Sequence, residues 1–161
     1  ALEARGFVAY TPSFPNTQRP DPAEWVAYLK KMVGKLDKDT YLVGHSLGPT
    51  AIMLYLEQLA EGEQIGGFLS VAGGFRYKPE NMPKDLASDP WYGRMPDFKA
   101  IKTHCSNIVA LFSDDDPIIV LEDKDIFEKE LGARLIVERR KKHFINPNLA
   151  GDVMKAFELL L

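Results

Sequence analysis

The feature that most constrains this chain is the step from Tyr41-Leu42-Val43-Gly44 into His45-Ser46-Leu47-Gly48. The first four residues are apolar without alternation, which describes a strand covered on both faces. From about Leu47 to Ala60 the pattern becomes helical. Only a tight turn can join the two, and Gly44-His45-Ser46-Leu47-Gly48 supplies it. A strand buried on both sides and followed at once by a helix belongs to a parallel sheet with helices packed on it.

The rest of the chain repeats that alternation. Short apolar runs at Phe7–Tyr10, Phe68–Ala72, Ile108–Phe112 and Arg134–Val137 read as further strands. Asp21-Pro22-Ala23-Glu24 opens a helix, with Asp21 as cap, proline at the first helical position and Glu24 three residues after the cap. Trp25, Val26, Leu29, Met32, Val33 and Leu36 form its apolar stripe. Another helix is expected over about Leu121–Leu131. Asn146-Pro147 opens a last one, striped by Leu149, Val153, Ala156, Phe157 and Leu160. A length of 161 residues suits one domain, 1–161. Its one long irregular stretch, about 73–96, carries Phe75, Trp91 and Tyr92 and reads as a lid-like insertion or pocket wall.

The turn at Ser46 carries chemistry. Gly-x-Ser-x-Gly between strand and helix forces the serine into a strained backbone conformation, and glycines on either side avoid clashes with strand and helix. The side chain then projects above the sheet, with the positive end of the helix dipole beneath it. The N–H of Leu47 is placed to donate to an oxyanion. A serine needs a base, and the base needs an acid to orient it. After such a turn the chain order is serine, acid, histidine. Asp116, beyond the strand Ile108–Phe112, and His143, beyond Arg134–Val137, follow in that order. Both lie past strand ends, on the edge that bears Ser46.

Asp116 is the expected acid because Pro117 restricts its backbone, and Asp115 is the alternative. Asp114 to Asp116 also have the composition of a turn. Of the other histidines, His45 adjoins Ser46 with its side chain pointing away, and His104 stands before a strand, at the wrong end of the sheet. The basic run Arg139-Arg140-Lys141-Lys142 reads as a solvated face, or as a charge acting on His143 or on an anionic substrate. Cys105 reads as an inert core residue. No metal-ligand cluster, phosphate-binding loop or dinucleotide fingerprint is present, so no metal and no cofactor is expected. A net charge of -3 gives no field that would draw nucleic acid, and no apolar run is long enough for a membrane span. A single cysteine fits a cytoplasmic location.

These residues resemble the small serine hydrolases of the retinoblastoma-binding-protein-nine type, a compact branch of the α/β-hydrolases. The likeness rests on Pro12, Pro15 and Trp25, on Gly44 through Gly48, on Pro96-Asp97-Phe98, on Ser113 through Pro117, and on His143-Phe144. It covers nearly the whole chain. It implies an α/β-hydrolase-like three-layer fold with a mostly parallel sheet, Ser46, Asp116 and His143 as triad, and hydrolysis of small esters, thioesters or amides. An acyltransferase using the same triad and a protein-interaction role on an idle scaffold are the alternatives.

Two departures stand out. Lys142 occupies the place where the family usually has glycine. The opening strand and His-Gly loop, source of the second oxyanion donor, have no counterpart here. That absence leads us to expect about 30 further residues upstream, one strand-loop-helix unit, without which the chain would be an inactive fragment.

Overall fold

The computed structural model describes residues 2–81, 89–91 and 94–161. Four parallel strands, β1 (Tyr41–His45), β2 (Gly67–Val71), β3 (Ile108–Ser113) and β4 (Arg134–Glu138), lie side by side in chain order. Each crossover carries a helix: α2 (Gly48–Leu56), α3 (Phe98–His104) and α4 (Lys124–Leu131). When parallel strands advance in one direction through right-handed crossovers, the crossing helices fall on one face. Together with α1 (Pro22–Val33) they form that face here, packed on Leu42, Phe68, Ile108, Ala110 and Phe112. The opposite face, Leu69, Val71, Val109 and Leu111, is covered by α5 (Ala150–Glu158) through Ala156 and Phe157, with Leu160 just beyond it. This is a three-layer α/β arrangement with a parallel sheet, the architecture the family resemblance implied.

The caps follow the sequence closely. Asp21 accepts from Glu24 N–H at 2.9 Å and Pro22 stands at the first position of α1. The helix stops at Gly34, so Leu36 lies beyond it although it still packs on the core. Helix α2 is shorter than expected, ending at Leu56. The helices begun at Leu121 and Pro147 open with single 3-10 turns before α4 and α5. Helix α3 has no counterpart in the strand and helix pattern read above. Its cap is explicit, however: Asp97 accepts from both Lys99 and Ala100 N–H at 3.0 Å.

One expected strand does not form. Phe7–Tyr10 has no strand beside it among the described residues, and Val8 and Tyr10 are 77% and 79% exposed. A strand needs a neighbour to take its N–H and C=O groups; without one, water satisfies them. Phe7 alone is anchored, edge-on to Tyr41 and Phe157. The outer edge of β1 is likewise unpaired among the described residues, and Val43 is 46% exposed.

Candidate active site

Parallel strands send all their carboxyl ends to one edge, so the loops after β1, β3 and β4 meet there. Ser46 follows β1 with φ at 61°, a left-handed conformation that costs a non-glycine residue about 1–2 kcal/mol. Its N–H donates to Val71 O at 3.0 Å, tying the turn to β2. A Cβ on Gly44 would lie 2.6 Å from both Gly48 C and Pro49 N, so only glycine lets the helix start this close to the strand. Gly48 differs from expectation: a Cβ there would meet nothing within 4 Å, because it points into open space. Steric need explains the first glycine of the motif and not the second.

His143 comes to this turn from the loop after β4. Its Nε2 stands 2.9 Å from Ser46 Oγ, and its Nδ1 stands 2.8 Å from Asp116 Oδ2. Asp116 and His143 are both buried. Asp116 Oδ1 accepts from Ile118 N–H at 2.8 Å and Ile119 N–H at 3.1 Å. Proline has no N–H, so these are the first donors after Pro117 that the carboxylate can use. Burial would raise the Asp116 carboxyl, but the hydrogen bond to His143 and the two N–H groups outweigh it and hold it below its ordinary value. With Nδ1–H committed to the carboxylate, Nε2 is the imidazole's acceptor.

Asp115, the alternative acid, goes elsewhere. Its Oδ1 accepts from Lys142 N–H and from Ser113 Oγ–H, each at 2.8 Å, and its Oδ2 pairs with Lys142 Nζ at 3.0 Å. Asp114 accepts from Arg140 N–H at 2.8 Å, and Ser113 Oγ accepts from Lys141 N–H at 3.0 Å. The basic run is therefore not simply solvated: Lys141 also pairs with Asp152. Sequence reasoning treated the acidic and basic runs separately. The signal that joins them is their shared place, each just beyond one of two neighbouring parallel strands, with opposite charge.

His45 does point away from Ser46. Its Nε2–H donates to the backbone carbonyl of His143 at 2.6 Å. Burial lowers its pKa, opposed by that same carbonyl, so it is a neutral donor at pH 7. His104 sits at the far end of the sheet, its Nδ1 2.7 Å from Glu63 O. Cys105 is buried in the core, and burial pushes its thiol up to about 11.

Beside Ser46 lies a narrow cleft of about 20 Å³, walled by Leu47, Thr50, Phe75, Arg76, Trp91 and Ile119 among others. Phe75 and Trp91, of the three aromatic residues singled out from the sequence, line this cleft, and Tyr92 lies outside the described residues. Phe75 stacks on Phe127 with centroids 5.4 Å apart. Trp91 Nε1–H donates to Pro20 O at 2.8 Å. Below this wall the fully buried Asp123 accepts from Phe75 N–H (2.6 Å), Arg76 N–H (2.9 Å) and Arg76 Nε–H (2.6 Å). No pattern in the sequence marked Asp123, since its partners are fixed only by the return of the chain after β2. Among the described residues no group of three or more His, Cys, Asp or Glu is placed to hold a metal ion, and no helix is long and apolar enough to cross a membrane.

Comparison with known proteins bears on the family and the fold. YdeN of Bacillus subtilis, which carries a hydrolase name, is 28% identical over 144 residues, covering 89% of this chain and 74% of its own. The crystal structure of the ydeN gene product matches with a TM-score of 0.81 at 25% identity, over 98% of this chain and 86% of that one. The serine hydrolase RBBP9 of Rattus norvegicus is 23% identical over 141 residues, 88% of this chain and 72% of its own. A structure from Xanthomonas campestris, described as of the α/β hydrolase superfamily, shares the fold with a TM-score of 0.62 at 15% identity, over 99% of this chain and 82% of that one. The pattern of one family, the serine hydrolases, matches residues 11–151. The chain belongs to that serine hydrolase family and has the α/β-hydrolase fold.

Proposed function

We propose that this hydrolase cleaves a small ester, thioester or amide through an acyl-enzyme on Ser46. The observation that carries the reading is the continuous hydrogen-bonded line from Asp116 Oδ2 through the His143 ring to Ser46 Oγ, at 2.8 and 2.9 Å. His143 Nε2 takes the proton of Ser46 Oγ as the oxygen bonds to the substrate carbonyl carbon. Asp116 holds the ring in the tautomer that leaves Nε2 free and stabilises the imidazolium that forms. The oxyanion is stabilised by the N–H of Leu47, at the start of α2. His143 then returns the proton to the leaving group as its bond to carbon breaks. A water, deprotonated by the same nitrogen, attacks the acyl-enzyme and frees Ser46.

The cleft supports a small acyl group with apolar character, since Leu47, Phe75, Trp91 and Ile119 are among the residues that wall it. In this reading residues 1–161 act as one domain, and segment 73–96 supplies the wall through Phe75 and Trp91. A cytoplasmic site of action fits the single, buried cysteine. The test is labelling with a fluorophosphonate probe together with turnover of a short-chain p-nitrophenyl ester. Ser46→Ala is expected to abolish both; labelling at the parent rate in that variant would place the nucleophile elsewhere.

A further inference from the structure

The loop that delivers His143 is built from residues ill suited to its shape. Arg140, Lys142 and Phe144 all have positive φ, at 56°, 54° and 54°. In that region L side chains crowd the backbone, and a neighbouring structure must hold them there. Residues 113–116, at the end of β3 and just after it, hold two of these, Arg140 and Lys142, and the residue that follows each. Asp114 takes Arg140 N–H, Ser113 Oγ takes Lys141 N–H, Asp115 takes Lys142 N–H, and Asp116 takes the His143 ring. On the far side of His143, its carbonyl is held by His45.

Lys142 is the critical member, because its φ and ψ set the direction in which the next residue leaves. Asp115 grips it twice, at N–H and at Nζ, and also receives the Ser113 hydroxyl whose oxygen holds Lys141. We propose that Asp115 is a positioning residue for the hydrolytic step: it holds Lys142 in a left-handed conformation that glycine would adopt unaided, and so aims His143 at Ser46. Asp115 touches neither Ser46 nor His143 in the hydrogen-bonded line and acts only through the loop. Its carboxyl is held down to about 2, chiefly by Lys142 N–H, so the grip is ionised across the working pH range. The inference rests on the proposed role of His143 as base.

The test uses the full chain and three proteins: parent, Asp115→Ala, and Asp115→Ala with Lys142→Gly. Ester turnover and melting temperature are read together, with the far-downfield NMR signal of the His143 Nδ1 proton. Asp115→Ala is expected to lower kcat about ten-fold with KM nearly unchanged, the cost of a slightly misplaced base, and to broaden or move that proton signal. Adding Lys142→Gly is expected to restore kcat to within about three-fold of the parent, because glycine needs no hold to adopt positive φ. A purely structural Asp115 would lower the melting temperature and leave kcat and the proton signal untouched, which overturns the proposal. So does a double variant no faster than Asp115→Ala. Should Asp115→Ala fail to fold, a folded and active double variant supports the proposal and an unfolded one overturns it. The two readings fail differently: if parent turnover does not depend on Ser46, the hydrolytic mechanism falls, while the proton signal still reports on the hold.

Discussion

Ser46 and His143 reach the same point by opposite means. The turn at Ser46 is made locally, from five successive residues: one left-handed serine, a glycine packed against the first turn of the helix, and one backbone hydrogen bond to β2. The loop at His143 is shaped from a distance. Its three left-handed residues are large, and side chains of Ser113, Asp114 and Asp115, some 26 to 28 positions earlier, hold the N–H groups of Arg140, Lys141 and Lys142. Strain contained in a motif is set by the motif's own residues. Strain held from outside depends on another segment keeping its place.

Variants that break the contrast should differ most at the reacting atoms. Ser46→Ala and His143→Ala are each expected to lower kcat about a million-fold, since neither group works without the other. Asp116→Asn is expected to cost about ten thousand-fold, by favouring the wrong tautomer. These follow from ester turnover, and a variant retaining the parent rate removes that residue from the line. Next comes the turn itself. Gly44→Ala would drive a Cβ to 2.6 Å from backbone atoms that cannot yield, with a stability loss of about 1–3 kcal/mol by thermal melting and slow probe labelling. Gly48→Ala should label at the parent rate, and equal damage at both glycines would refute the steric account of the turn.

Smaller effects sharpen the other side. Asp114→Ala removes one hold, that on Arg140 N–H, and should cost about 1 kcal/mol in denaturant unfolding. The smallest effect is one of pH. The Asp115 carboxyl is lowered from 3.8 to about 2 in the folded chain. Its contribution to stability is therefore complete above the ordinary carboxylate value and is lost as pH falls through about 2. The difference in melting temperature between the parent and Asp115→Asn should be constant near neutrality and close as pH approaches about 2; a difference that persists below it contradicts the assignment.

What could be read from the sequence follows the same division. Gly44 through Gly48, the Asp21 cap and the strands 41–44, 68–72, 108–112 and 134–137 are local patterns, and the fold carries each of them within a residue or two, although only the two inner strands are buried on both faces and Val43 of β1 is 46% exposed. The expected order of serine, acid and histidine beyond strand ends singled out Asp116 and His143, and the fold brings both side chains into one hydrogen-bonded line with Ser46. The hold of Asp115 on Lys142 was not legible, because nothing in either run specifies which acid meets which base. Asp123 was invisible for the same reason. Phe7–Tyr10 has the residues of a strand, but pairing is a property of neighbours, and none lies beside it among the described residues. Helix α3 went unread although Asp97, Ile101 and the basic Lys102 and His104 mark its start, buried side and end.

The residue-by-residue match between 113–116 and 140–143 also restricts how this chain can change length. A residue added or deleted between Glu138 and Arg140 would shift each of these partners by one and bring a lysine or a phenylalanine opposite Asp116 in place of the imidazole. Substitutions there lose the side-chain pairs of Lys141 and Lys142 but keep the backbone N–H holds, which almost any residue provides. The spacing cannot be altered, so drift in sequence at these positions and invariance in their number should go together.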